Sequence, residues 1–179
     1  MPRLFTGLEI PAEIGFILGL KRGGLPGARW IDPENYHITL RFIGDVDYQT
    51  AAEVSDALQH YSRGQSFQVT LNHIGAFGGN KPRAVYVGCE MNETLNRLQA
   101  AQERILQRIG LSPDSRKFVP HVSLARLRDA HPEDVARYIA RQGRFEPMTF
   151  DVGRFVLFSS RDSVGGGPYV IEQAFELAA

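Results

Sequence analysis

A single cysteine, Cys89, leaves the chain without an internal disulfide or a multi-cysteine metal cluster, which fits a reducing compartment, the cytoplasm by default. Net charge is lacking too: 20 basic and 20 acidic side chains cancel. The chain therefore has no basic field of the kind that grips long nucleic acid through many phosphates, and any such contact should be local. No apolar run approaches membrane-spanning length, and the one before Glu9 is too short for a signal peptide. No segment is of low complexity. What is present is 179 residues, 43% of them hydrophobic, which suits one domain over residues 1–179 built of two lobes.

Periodicity places the elements. Residues 3–10 read as a strand, and Pro11 opens a helix carrying Ile14, Ile17 and Leu18. After the break at residues 23–27, residues 36–43 alternate: Ile38, Leu40 and Phe42 on one side, His37, Thr39 and Arg41 on the other. Asp45 or Asp47 caps a helix with Ala51, Val54, Leu58 and Tyr61 on one face. Residues 67–74 and 83–89 form a hairpin around a glycine-rich loop. A helix over 92–109 repeats Leu95, Leu98, Ala101 and Ile105, and Gly110 stops it. Residues 119–127 are a strand bearing His121, followed by a helix punctuated by Pro132, Glu133, Asp134 and Gly143. Residues 150–158 and 169–177 close the chain as strands around a loop from Arg161 to Pro168.

The order of histidine strand, helix, strand, strand thus occurs twice. Such a repeat suggests two similar lobes about an approximate two-fold axis, with the histidine strands face to face across a cleft. His37-Ile38-Thr39-Leu40 and His121-Val122-Ser123-Leu124 share one form, and the period of two sets each histidine beside a hydroxyl on one strand face. With five histidines in the chain, two four-residue matches alone do not exclude coincidence. Their recurrence at equivalent points of a repeated unit raises them above it.

Opening a cyclic phosphodiester needs a base for water, an acid for the departing ribose oxygen, and donors to the phosphate oxygens. Two imidazoles meet the first two needs, because one can be neutral and the other protonated near pH 7. In-line displacement places them on opposite sides of phosphorus.

Arg29-Trp30-Ile31, the run from Asn35 to Gly44, and the run from Phe118 to Arg126 resemble the two motifs, with their flanks, of the two-histidine phosphoesterases. Within them the likeness is to the RNA 2′,3′-cyclic phosphodiesterases, also called 2′-5′ RNA ligases, and it runs nearly end to end. The resemblance implies an α+β, bilobal, duplicated fold, antiparallel sheets lining a central cleft with helices outside. It implies hydrolysis of RNA or nucleotide 2′,3′-cyclic phosphates to 2′-phosphates, His37 as proton donor, His121 as proton acceptor, no metal or other cofactor, and 2′-5′ ligation as the reverse reaction. Thr39 and Ser123 would bind substrate; Ser123 stands where the family usually has threonine and lacks its rotamer-fixing β-branch. Arg126 would balance phosphate charge, but in a regular strand it falls on the face opposite His121 and needs a bend or bulge to reach the cleft. Arg41 has the right parity and is the geometric alternative. The expected partners are RNA ends or cyclic nucleotides, tRNA fragments among them, with no membrane, and the chain is expected to be a monomer.

Two other readings stay open: a relative acting on another cyclic phosphate or a 2′-5′ linkage, and a non-catalytic RNA-end binding module. The intact histidine pair argues against the module. His60, His73 and His131 read as structural or merely exposed. Trp30, Tyr36, Phe77 and Phe118 could stack on a base, but core is the commoner fate of such rings. Arg116, Lys117, Arg126 and Arg128 make a locally basic stretch, either a solvated face or an RNA contact. Gly78-Gly79 and Gly165-Gly166-Gly167 lack the residues of a phosphate-binding loop.

Overall fold

The computed structural model describes residues 2–61, 64–160 and 167–179. The expected loop from Arg161 lies outside the described residues as far as Gly166. In chain order the elements are β1 (Arg3–Glu9), α1 (Ala12–Gly19), β2 (Ala28–Trp30), a 3-10 turn (Pro33–Asn35), β3 (His37–Asp45), α2 (Tyr48–Tyr61), β4 (Phe67–Phe77), β5 (Ala84–Cys89), α3 (Glu93–Arg108), β6 (His121–Leu127), α4 (Pro132–Arg141), β7 (Met148–Val152), β8 (Arg154–Ser160) and β9 (Tyr169–Glu176).

Local chemistry accounts for the helix ends. Asp47 Oδ1 accepts from Thr50 N at 2.7 Å before α2, and Asn92 Oδ1 accepts from Leu95 N at 3.0 Å before α3, each satisfying an orphan amide of a first turn. Pro132 opens α4 with Glu133 and Asp134 behind it. On α3 the buried stripe runs Leu95, Leu98, Ala101, Gln102 and Leu106, so Leu106 takes the place expected of Ile105. On α1 Ile17 points outward, 45% exposed, leaving Ile14 and Leu18 inside.

All the strands join one mainly antiparallel sheet in the order β7-β4-β5-β6-β3-β1-β8-β9, with β2 beside β6. The fold is α+β, and its duplication is visible in that order: outward from the centre, β3-β1-β8-β9 mirrors β6-β5-β4-β7. Here the strand reading over residues 150–158 is corrected. Gly153 divides it into β7, which pairs β4 at one edge, and β8, which pairs β1 in the other half. The halves in space are therefore not the halves in sequence. The strands β4 and β5 follow His37 along the chain yet flank His121, while β8 and β9 follow His121 yet flank His37.

The two histidine strands also meet differently from the expectation. They are neighbours in the sheet, paired antiparallel at Ile38↔Val122, and not facing walls. Their shared inner face packs Ile38, Leu40, Val122 and Leu124, each 3% exposed or less, toward the helices, with α3 against β3 and β4, α4 against β4 and α2 against β9. The outer face carries the histidines.

Candidate active site

Pairing at Ile38↔Val122 sets the geometry. In an antiparallel ladder it places His37 across from Ser123 and Thr39 across from His121, so the two histidines sit on a diagonal of one sheet face with a hydroxyl beside each. His37 donates Nδ1–H to the Asn35 carbonyl at 2.8 Å, and His121 donates Nδ1–H to the Val119 carbonyl at 2.6 Å. Both carbonyls lie two residues upstream. A carbonyl only accepts, so each neutral ring carries its proton on Nδ1 and keeps Nε2 for chemistry. His37 Nε2 is 2.9 Å from Thr39 Oγ1.

Aromatic rings enclose each imidazole. Phe5 and Tyr169 lie 5.0 and 5.1 Å from the His37 ring and Phe158 at 5.6 Å; Phe77 and Tyr86 lie 4.9 and 5.4 Å from His121. Gly7 makes room for this packing, since a Cβ there would stand 2.8 Å from the Ile38 carbonyl and 3.1 Å from the Phe158 ring. Burial lowers the His37 pKa to about 4; the Asn35 carbonyl opposes this, and charge on His121 adds to it. That repulsion means the rings sense one another. Burial likewise lowers His121, against the pull of the Val119 carbonyl.

The parity problem at Arg126 has a structural answer. Register jumps from Tyr86↔Ser123 to Val85↔Ala125, leaving Leu124 unpaired as a bulge. The alternation restarts one residue late, Ala125 turns inward, and Arg126 swings onto the histidine face. The same device occurs on β3, where Gly7↔Thr39 jumps to Thr6↔Arg41 over Leu40. This corrects the reading of Arg41 as a phosphate contact. The bulge drives it to the inner side, 5% exposed, into an ion pair with Glu103 and a hydrogen bond to the Ser112 carbonyl at 2.6 Å. Phe42, read as core from its parity with Leu40, comes out instead, 42% exposed.

A cavity of about 500 Å³ lies over this face, lined by Arg3, Phe5, Ile31, His37, Thr39, Phe42, Ser123, Arg126, Ser160 and Tyr169. Sequence reading missed Arg3, Phe5, Phe42, Ser160 and Tyr169 as lining residues. Arg3, Phe5, Ser160 and Tyr169 come from strands with no motif of their own, and Phe42 was hidden by the bulge. Of the candidate stacking rings, only Phe77 borders a histidine; Trp30 packs on Tyr138 at 5.6 Å, Tyr36 is buried and Phe118 packs against the core. Arg116 pairs with Asp114. His60 caps back onto the Asp56 carbonyl and His131 precedes α4. His73 is less remote than expected: through His73↔Gly88 and Gly88↔His121 it shares a row with His121. Among the described residues no group of three or more His, Cys, Asp or Glu is placed to hold a metal ion, and no helix is long and apolar enough to cross a membrane.

Residues 28–163 match the model of the 2′-5′ RNA ligase superfamily. The chain belongs to that superfamily. It is 33% identical to the RNA 2′,3′-cyclic phosphodiesterase of Thermotoga maritima over 94% of this chain and 92% of that one. It is 41% identical to the enzyme of the same name from Aeropyrum pernix over 60% and 61% of the two chains. Among solved structures, E. coli LigT complexed with 3′-AMP superposes over the full length of both chains with a TM-score of 0.80 and 26% identity. Residues 28–163 span both histidine motifs and their bulges, while Arg3, Phe5 and Tyr169 of the cavity lining lie outside the matched stretch.

Proposed function

We propose that this member of the superfamily hydrolyses 2′,3′-cyclic phosphates at RNA ends or on nucleotides, leaving 2′-phosphates. The observation that carries the reading is the pair of Nδ1-anchored imidazoles on one diagonal. In the proposed complex their two Nε2 atoms flank one phosphorus, with a hydroxyl beside each and Arg126 on the same face.

With His121 neutral, its Nε2 takes a proton from water as the oxygen attacks phosphorus. The P–O3′ bond breaks in line, and protonated His37 delivers its Nε2 proton to the departing 3′ oxygen. Thr39 and Ser123 donate to the equatorial oxygens, and Arg126 offsets the charge building there. Arg41 serves at a distance, by holding β3 in place. With the 5′-hydroxyl of a second strand in place of water, His121 takes that hydroxyl's proton, a P–O5′ bond forms as P–O3′ breaks, and His37 protonates the 3′ oxygen, which yields a 2′-5′ linkage without further groups. RNA ends, including those of tRNA fragments, fit a shallow cleft with local charge on a molecule of zero net charge.

Turnover of a 2′,3′-cyclic nucleotide in the presence of chelator tests the proposal. Activity should persist, and His37→Ala and His121→Ala should each lower kcat by about 10²–10⁴-fold, the usual worth of a positioned acid or base. Loss of activity to chelator, or a fully active histidine variant, would sink this mechanism.

A further inference from the structure

We infer that Arg29 is a subsite for the backbone phosphate one nucleotide inward from the cyclic end, which makes an oligonucleotide end, rather than a mononucleotide, the preferred substrate. This rests on the cyclic-phosphate reading above and adds to it a position outside the reacting group.

Arg29 stands directly across from Arg126 in the β2–β6 ladder, between the pairs Ala28↔Leu127 and Trp30↔Ala125. Residues opposite one another in such a ladder share a face, with Cβ atoms about 4.5–5.5 Å apart. Both arginines are exposed while Leu127 and Ala125 are buried. Like charges so placed repel and destabilise the pairing. Among the described residues no carboxylate comes within ion-pair distance of either, although Arg3, Arg116 and Arg154 each have one. The fold thus sustains a strained cationic pair whose missing partner is an anion.

Arg126 lines the cavity with His37 and Ser123, whereas Arg29 lies just past its rim. It shares strand parity with Ile31, which does line the cavity, two residues or about 6.6 Å away along the strand. Position along β6 gives the polarity. The order is His121, then Ser123 with His37 across from it, then Arg126 with Arg29 across from it. His37 therefore stands between His121 and the arginine pair. If His37 protonates the departing ribose oxygen, the ribose lies on that side of phosphorus, and the chain leaving its 5′ oxygen runs away from the attacking water toward Arg29. Trp30 is turned onto Tyr138, so at this position β2 offers charge and not a stacking surface.

The test compares three substrates: a dinucleotide ending in a 2′,3′-cyclic phosphate, the same molecule with an uncharged methylphosphonate linkage, and the cyclic mononucleotide. For the unaltered enzyme kcat/KM should be roughly tenfold higher on the charged dinucleotide than on the other two, the scale of one charge-assisted hydrogen bond. In Arg29→Gln that ratio should fall to about one. The salt dependence on the dinucleotide should lose about 0.7 from its log–log slope, and Tm should hold or rise because a repulsion is removed. Equal kcat/KM on charged and uncharged linkages, or a uniform loss on all three substrates in Arg29→Gln, would overturn the subsite. Absence of turnover on all three would instead overturn the hydrolytic reading on which it stands.

Discussion

At the scale of a residue, a ring whose Nδ1–H is donated in a hydrogen bond to a carbonyl has one reactive atom left, and the protonation state of that atom follows from its surroundings. Burial holds His37 near 4 and His121 below its ordinary 6.5, so the unliganded site holds two neutral rings at pH 7. An acid role for His37 then requires the substrate's help, because a phosphate anion beside the ring favours imidazolium. The bell for kcat/KM should accordingly have both limbs below pH 6.5. The bell for kcat, which reports the complex, should lie at higher pH, and profiles of the two parameters measured on one substrate check this. Identical limbs would show that substrate does not move the pair. The histidines and their hydroxyls were legible in the sequence because the motif repeats. Their aromatic enclosure was not, since Phe5, Phe158 and Tyr169 come from β1, β8 and β9, and sequence spacing carries no trace of which strands become neighbours.

At the scale of an element, one extra residue per strand decides what the cavity contains. Leu40 and Leu124 are equivalent bulges, and they send Arg41 and Ala125 inward and Phe42 and Arg126 outward. Strict alternation puts all four on the wrong face, and a bulge has no local signature in either stretch. Arg41 is thereby committed to a buried junction: its partner Glu103 also accepts from Asp114 N at 2.9 Å, tying β3 and α3 to the segment that leads into His121. Glu103→Gln leaves the Arg41 guanidinium without its counter-charge and should cost about 3 kcal/mol, read by denaturant unfolding. Burial works to raise the Glu103 carboxyl, and hydrogen bonds from Arg41, Asp114 N and Gln107 outweigh it, so its pKa lies below 4.5. A depressed carboxylate stabilises above the unfolded value and loses that contribution as pH falls through the folded one. The unaltered protein should therefore weaken below pH 4.5 by an amount that Glu103→Gln does not show.

At the scale of the molecule, the repeat of strand and helix order was legible, and the exchange between halves was not. Each unit sets its early strands in one half and its last in the other: β8 pairs β1 in the half that holds β3, and β4 pairs β5 in the half that holds β6. The helices follow suit, α2 meeting α3 while Tyr138 of α4 donates to the Lys21 carbonyl just past α1 at 2.7 Å. Chain connectivity at Gly153 decides this, and periodicity is blind to connectivity. With every half built from both units, we expect one cooperative transition, with fluorescence and far-UV circular dichroism midpoints coinciding. Two separated transitions would show halves that melt alone. The interlock also bears on descent. Two identical copies of one unit, exchanging strands in this way, would form a closed two-fold dimer whose histidines had to be the same. Joining the copies in one chain frees each to change by itself, and the outward residue after each bulge records the divergence: an aromatic ring at Phe42, a cation at Arg126. The proposed division into donor and acceptor can then be written into the surroundings of each histidine separately, whereas identical subunits would leave it to the placement of a shared proton.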